Sequence, residues 1–186
     1  MGRLGIDDLE DLRPARLGEA GIAELLETAT EATLVFASEE DGWPQGVVVS
    51  FLQAKGSLWI AAVEARGHTR ALRQDPRATL VVSSSGTTLA GRRMVALRAR
   101  AIVHVEPAVR QRILPLLAGR LAPGDAAAML RLLDTHRRVV IELTEPRVVV
   151  SHDSRRIAGD GRGSPGPAPD RPSETALDPL DGPFAI

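Results

Sequence analysis

Hydrophobic and polar positions repeat along this chain with two periods, and the switches between them mark its elements. Ile22, Leu25 and Leu26 fall at helical spacing within 17–28 and predict an amphipathic helix. Apolar runs follow at 32–38, 45–54 and 58–63, separated by Asp41-Gly42 and Lys55-Gly56, dipeptides suited to tight reversals. Strands joined by such short turns pair antiparallel. That excludes a doubly wound nucleotide fold, whose parallel strands need long helical crossovers. The second run is apolar on both faces through Val47 to Leu52, so both sides of it are expected to be covered.

The third run, Leu58 to Val63, leads through Glu64-Ala65-Arg66-Gly67 into a short helix predicted over 68–75, which Pro76 stops. A fourth strand follows at 78–83 and a small-residue loop at 84–91. The fifth strand, 92–105, has the clearest period of two: Val95, Leu97, Ala99, Ala101, Val103 and Val105 share one face, and Arg92, Met94, Ala96, Arg98, Arg100, Ile102 and His104 the other. Glu106-Pro107 opens a helix expected to bend or break near Pro115, and another helix is predicted over 125–136. Val139 to Leu143 and Arg147 to Ser151 read as a last strand or pair of strands, interrupted at Pro146.

The two ends differ from this pattern. Residues 1–17 are polar, acidic and broken by Pro14, which predicts a flexible arm. Residues 153–186 are expected to be an extended or disordered tail, since 154–186 holds six of the chain's 13 prolines and five of its glycines. Residues 18–152 are left as the folded unit, and a chain of 186 residues that is 44% hydrophobic suits one domain of that size.

Composition narrows the chemistry. There is no cysteine, which removes thiolate metal sites and cysteine nucleophiles, and the four histidines show no metal-ligand spacing. No Ser/His/Asp set or paired carboxylates suggest a catalytic side chain. No apolar stretch approaches the roughly 20 residues that cross a bilayer, and the N-terminus is acidic where a signal peptide would be basic; a cytoplasmic, membrane-free protein is expected. Aromatic residues make up 3%, too few for base stacking, so nucleic acid is not an expected partner.

Charge is unevenly spread. Between Ala65 and Val105 eight arginines face one acid, Asp75, giving +7 in a chain whose net charge is −1. An anionic partner for the middle of the chain follows. The bend after the third strand is its natural seat, because Arg66, Thr69 and Arg70 gather there with the free N–H groups of a helix start.

These pieces resemble a known family. The turn and strand Gly42-Trp43-Pro44-Gln45-Gly46-Val47-Val48-Val49, the strand 58–63, the segment Arg66-Gly67-His68-Thr69-Arg70-Ala71-Leu72-Arg73-Gln74-Asp75-Pro76-Arg77 and the long strand from Arg92 together are similar to the FMN-binding split β-barrel, the pyridoxamine 5′-phosphate oxidase-like family, which includes deazaflavin-dependent oxidoreductases. The resemblance implies a six-stranded antiparallel split β-barrel, mainly β with helices, working as a homodimer with sites at the subunit interface. It implies FMN as cofactor, with deazaflavin coenzyme F-420 as the alternative, and a small-molecule substrate. By the same resemblance the flavin phosphate would be held by Arg66, His68, Thr69 and Arg70. The ring would lie on Val49, Ser50, Ala61 and Ala62, with Arg93 and Met94 reaching in from the partner's fifth strand. The residues that bind the substrate phosphate in the oxidase itself are not evident. Ala61, Ala62 and Met94 stand where polar groups are frequent, so a non-catalytic barrel holding a cofactor or haem is the further alternative.

Overall fold

The computed structural model describes residues 13–157. Six strands, β1 (Glu31–Ala37), β2 (Pro44–Ala54), β3 (Ser57–Val63), β4 (Arg77–Ser83), β5 (Arg93–His104) and β6 (Arg138–Asp153), close into one antiparallel barrel in the order β1-β2-β3-β6-β5-β4. Among the described residues the helices are α1 (Glu19–Thr28), α2 (Gly67–Gln74), α3 (Pro107–Leu121) and α4 (Ala126–Leu133).

Local chemistry sets the turns. Lys55 and Gly56 both have positive φ, 53° and 78°, the two-residue reversal that matches strand twist, and Ala54 pairs with Ser57 across it. Side chains pointing into the barrel, among them Leu34, Phe51, Leu58, Ile60, Leu80, Val82, Val95, Ile141 and Leu143, form its core. α1 closes one end with Leu25 and Leu26. β3 is covered on both faces: Leu58 and Ile60 point inward, while Trp59 packs outward with Leu52 and Val140 against Ile113, Leu114 and Leu117 of α3.

Three expectations change and one alternative is resolved. Of the strand or pair of strands left open at the end, β6 is the single strand, uninterrupted at Pro146; the register slips there, with Arg98 opposite Arg147 but Arg100 opposite Thr144, and Glu145 takes φ 50°. A bulge accommodates a residue that has no N–H to give to the ladder. α3 runs through Pro115 without breaking, because Pro115 and Gln111, whose carbonyl loses its helical partner, both lie exposed to water. β2 is not covered on both sides: Val48 is 70% exposed in the single chain. The folded unit also reaches past its expected bounds. Ala15 and Leu17, placed in the arm, are buried, and the Leu17 N–H donates to Ser151 Oγ at 3.1 Å. At the other end Asp153, Ser154 and Ile157 are buried too. The rest of the arm and of the tail lies outside the described residues.

Arg93 is the most deeply buried cation in the barrel wall, 3% exposed. Its Nη1 donates to Glu24 Oε2 at 2.6 Å and its Nε to the Ala90 carbonyl at 3.1 Å. Removing Glu24 would strand a desolvated guanidinium. Glu24 is itself half exposed, so water can partly replace it, and Glu24→Ala is expected to cost about 1–3 kcal/mol. Urea denaturation checks this: the midpoint should fall with little change in slope.

Candidate functional site

The region between the end of β3 and the start of α2 is shaped by backbone first. Arg66 N–H donates to the Val63 carbonyl at 3.0 Å, and the Arg66 carbonyl accepts from Thr69 and Arg70, which starts α2. Thr69 is fully buried and its Oγ1 donates to the Val63 carbonyl at 3.0 Å. It pins the helix to the strand and has no donor left for a ligand. The first amides of α2 have no intrahelical acceptor.

Beside this bend lies a cleft of 580 Å³. Its floor is Val47 to Ser50 of β2 and Ala61 to Val63 of β3; Arg66, Gly67 and His68 stand at one end, and Leu117, Leu121 and Leu133 of α3 and α4 form a wall. Six of the residues expected from the sequence thus meet in one place: Val49, Ser50, Ala61, Ala62, Arg66 and His68. Four do not. Thr69 is internal to the bend. Arg70 is turned away, with Nε 2.8 Å from Glu39 Oε1, Nη2 on the same oxygen, and Nη1 2.7 Å from the Ala65 carbonyl. Arg93 is sealed in the wall by Glu24. Met94 lines a separate depression with Ser83, Ser84, Ser85, Gly91 and Arg92.

The +7 of the central segment is also smaller in space than along the chain. Glu39, Glu64 and Glu24, all outside that segment, pair with Arg70, Arg73 and Arg93. Arg77 is taken by Asp75, whose carboxyl is held down at about 2 by the hydrogen bonds from Arg77. Arg66 keeps no side-chain partner among the described residues, which leaves its guanidinium free at the mouth of the cleft.

His68 packs edge-on against Phe36, ring centroids 6.1 Å apart. Burial, and secondarily the Arg66 charge, push its pKa below the ordinary 6.5, so the imidazole is neutral at pH 7 rather than a second cation. The sign of the pH effect follows. Because the native value lies below the unfolded one, the unfolded chain binds the proton first; stability is intact above pH 6.5 and is lost as pH falls through that value. Thermal melts should show His68→Gln flattening the decline of stability between about pH 7 and pH 5; an unchanged profile would contradict the assignment.

Sequence reasoning missed Arg138. It lines the cleft from the first position of β6, opposite Val63 in the register, with Nε 2.6 Å from the Leu133 carbonyl. Its sequence neighbourhood, Thr135-His136-Arg137-Arg138, shows a basic loop and no hint of direction. Among the described residues no group of three or more His, Cys, Asp or Glu could hold a metal, and no helix is long and apolar enough to cross a membrane.

No protein-family model matches the chain, and no curated protein is similar to it in sequence. Solved structures are similar in fold. The conserved hypothetical protein Rv2991 of Mycobacterium tuberculosis matches with a TM-score of 0.65 at 21% identity, over 77% of this chain and 89% of that one. A Listeria innocua protein provisionally named a pyridoxamine 5′-phosphate oxidase matches with 0.52 at 17% identity, over 70% and 97%. HutZ, a haem storage protein of Vibrio cholerae, matches with 0.55 at 14% identity, over 72% and 94%. The fold is the split β-barrel of the pyridoxamine 5′-phosphate oxidase-like type.

Proposed function

We propose that this chain is an FMN-binding oxidoreductase, acting as a homodimer on a small molecule. The observation that carries the reading is the cleft: a floor of β2 and β3 walled by leucines, with a free arginine and a helix start. The residues present fit FMN. Ala61, on the outer face of β3, is small enough to leave room for a fused ring, and Ser50 extends that face across β2, while Ala62 and Val49 turn their side chains into the barrel core and offer only backbone to the cleft. Arg66 and the unpaired amides of α2 suit the phosphate. Bound FMN would supply the hydride and electron transfer that no side chain of the site offers. The chain's part is to grip, orient and keep water out. Leu117, Leu121 and Leu133 serve the last purpose, and His68, neutral in the chain alone, can hydrogen-bond a phosphate whose charge would raise its pKa.

The homodimer is supported by exposed apolar strand faces. Val48 on β2 and Val148, Val149 and Val150 on β6 are between 45% and 70% exposed in the single chain. A second copy would bury them.

Coenzyme F-420 in the same cleft is a second reading, favoured by one feature. Arg98 lies directly opposite Arg147, a like-charge pair across β5 and β6 in a depression apart from the cleft with Glu145 as its one acid, and a polyanionic tail long enough to reach it would relieve the repulsion. Equilibrium titration of the purified chain with FMN and with the deazaflavin, followed by fluorescence, separates the readings, with sedimentation giving the oligomeric state. Saturable FMN binding by a dimer is expected. Tight binding of the deazaflavin alone would move the assignment to that coenzyme, and haem uptake without flavin binding would move it to a carrier.

A further inference from the structure

Among the described residues Arg138 has no acidic partner, where a half-buried guanidinium ordinarily has one. Two of its donors are committed to backbone. Nε donates to the Leu133 carbonyl at 2.6 Å and Nη2 to the Leu132 carbonyl at 3.3 Å, the last carbonyls of α4, where a cation also meets the negative end of the helix. Nη1 has no acceptor among the described residues, and the group lines the cleft. Its surroundings disfavour the charge: burial lowers its pKa, and the neighbouring charge that acts on it is another cation, Arg110. Arg110 Nη2 donates to Asp134 Oδ1 at 2.6 Å, so the Asp134 carboxylate is not spare for Arg138. Position completes the argument. Arg138 is opposite Val63, the residue whose carbonyl closes the bend that Arg66 begins, and the Glu64 N–H donates to Arg137 at 3.0 Å, so the start of β6 lies against the bend.

We propose that Arg138 is the second anion-binding residue of the cleft, its free Nη1 meeting a phosphate oxygen together with Arg66 while Nε and Nη2 hold the end of α4. The cleft then has two guanidinium groups at its charged end, one from the β3–α2 bend and one from β6. The inference deepens the flavin reading, and its FMN arm rests on that reading. Ligand grip and the seating of the α4 wall run through one side chain.

The test uses the full chain, Arg138→Ala and Arg138→Gln, with FMN, riboflavin and inorganic pyrophosphate as probes, binding being followed by fluorescence for the flavins and calorimetry for pyrophosphate. An anion-binding role predicts that FMN affinity falls about 10- to 100-fold in both variants, riboflavin affinity stays within a factor of about two, and pyrophosphate binding is lost. Equal weakening of FMN and riboflavin would reduce Arg138 to a cap for α4 and overturn the proposal, as would unchanged FMN affinity. Should Arg138→Ala fail to fold, Arg138→Gln, which keeps an amide donor for the α4 carbonyls, gives the same readouts. Arg138-dependent pyrophosphate binding without FMN binding would sink the flavin reading and leave the anion role standing. Failure of the wild-type chain to bind any of these probes overturns both.

Discussion

Phe51→Ala should destabilise the chain by about 3–5 kcal/mol, the range for emptying an aromatic site in a packed core. Phe51 is fully buried, paired with Ile60 across β2 and β3 and enclosed by the barrel core. Its ring also carries the Arg120 guanidinium, 5.8 Å from the centroid, while Arg120 donates to the Leu26 and Ala29 carbonyls at the end of α1. The cavity would therefore form beneath the point where α1 and α3 are tied to the barrel, and neighbours held by those bonds can collapse only partly. At roughly 2–4 °C per kcal/mol for a chain of this size, the melting temperature should drop by about 6–20 °C. Circular dichroism measures it, and a drop below about 3 °C would mean that the site relaxes freely or is not core.

Arg66→Ala should weaken FMN binding by about 1.5–3 kcal/mol, roughly 10- to 150-fold. The reason lies in what Arg66 does not touch: it has no carboxylate to release before meeting a phosphate, whereas Arg70 would have to break with Glu39 and Arg73 with Glu64. Folding should be nearly unaffected, since the bend is held by the Arg66 backbone and by Thr69 Oγ1 rather than by the guanidinium. The salt dependence of FMN affinity should become shallower in the variant. An Arg66→Ala chain that binds FMN as tightly as wild type would remove the phosphate end of the proposed site.

Much of the barrel was legible because its strands carry local signals. The Lys55-Gly56 reversal, the period of two in β5 and the stop at Pro76 each follow from backbone chemistry within a few residues. What was not legible depended on surroundings. Pro146 reads as a break, yet β5 supplies a neighbour against which the strand bulges and continues. Pro115 reads as a helix end, yet solvent satisfies the carbonyl it frees. Ala15, Leu17 and Ile157 gave no periodic signal of their own: Leu17 joins the barrel core as a single residue, and the short turn 13–15 packs against 154–156, remote in sequence.

The site divides in the same way. Val49, Ser50, Ala61, Ala62, Arg66 and His68 meet because adjacent strands and the following bend must be neighbours. Arg70 and Arg93 lie outside the single chain's cleft because Glu39 and Glu24, which pair with them, lie 31 and 69 residues away. Charge counted along a segment cannot see such partners. Arg138 was missed for the converse reason: only barrel closure between β3 and β6 brings it to the bend.

The most direct test of the central claim is a crystal structure of the chain grown with FMN. The account predicts the ring on the β2–β3 floor at Val49, Ser50, Ala61 and Ala62, with the phosphate at Arg66 and the start of α2. FMN bound elsewhere, such as the depression beside Asp75 and Arg77, or no FMN in crystals grown at saturating concentration, would contradict it.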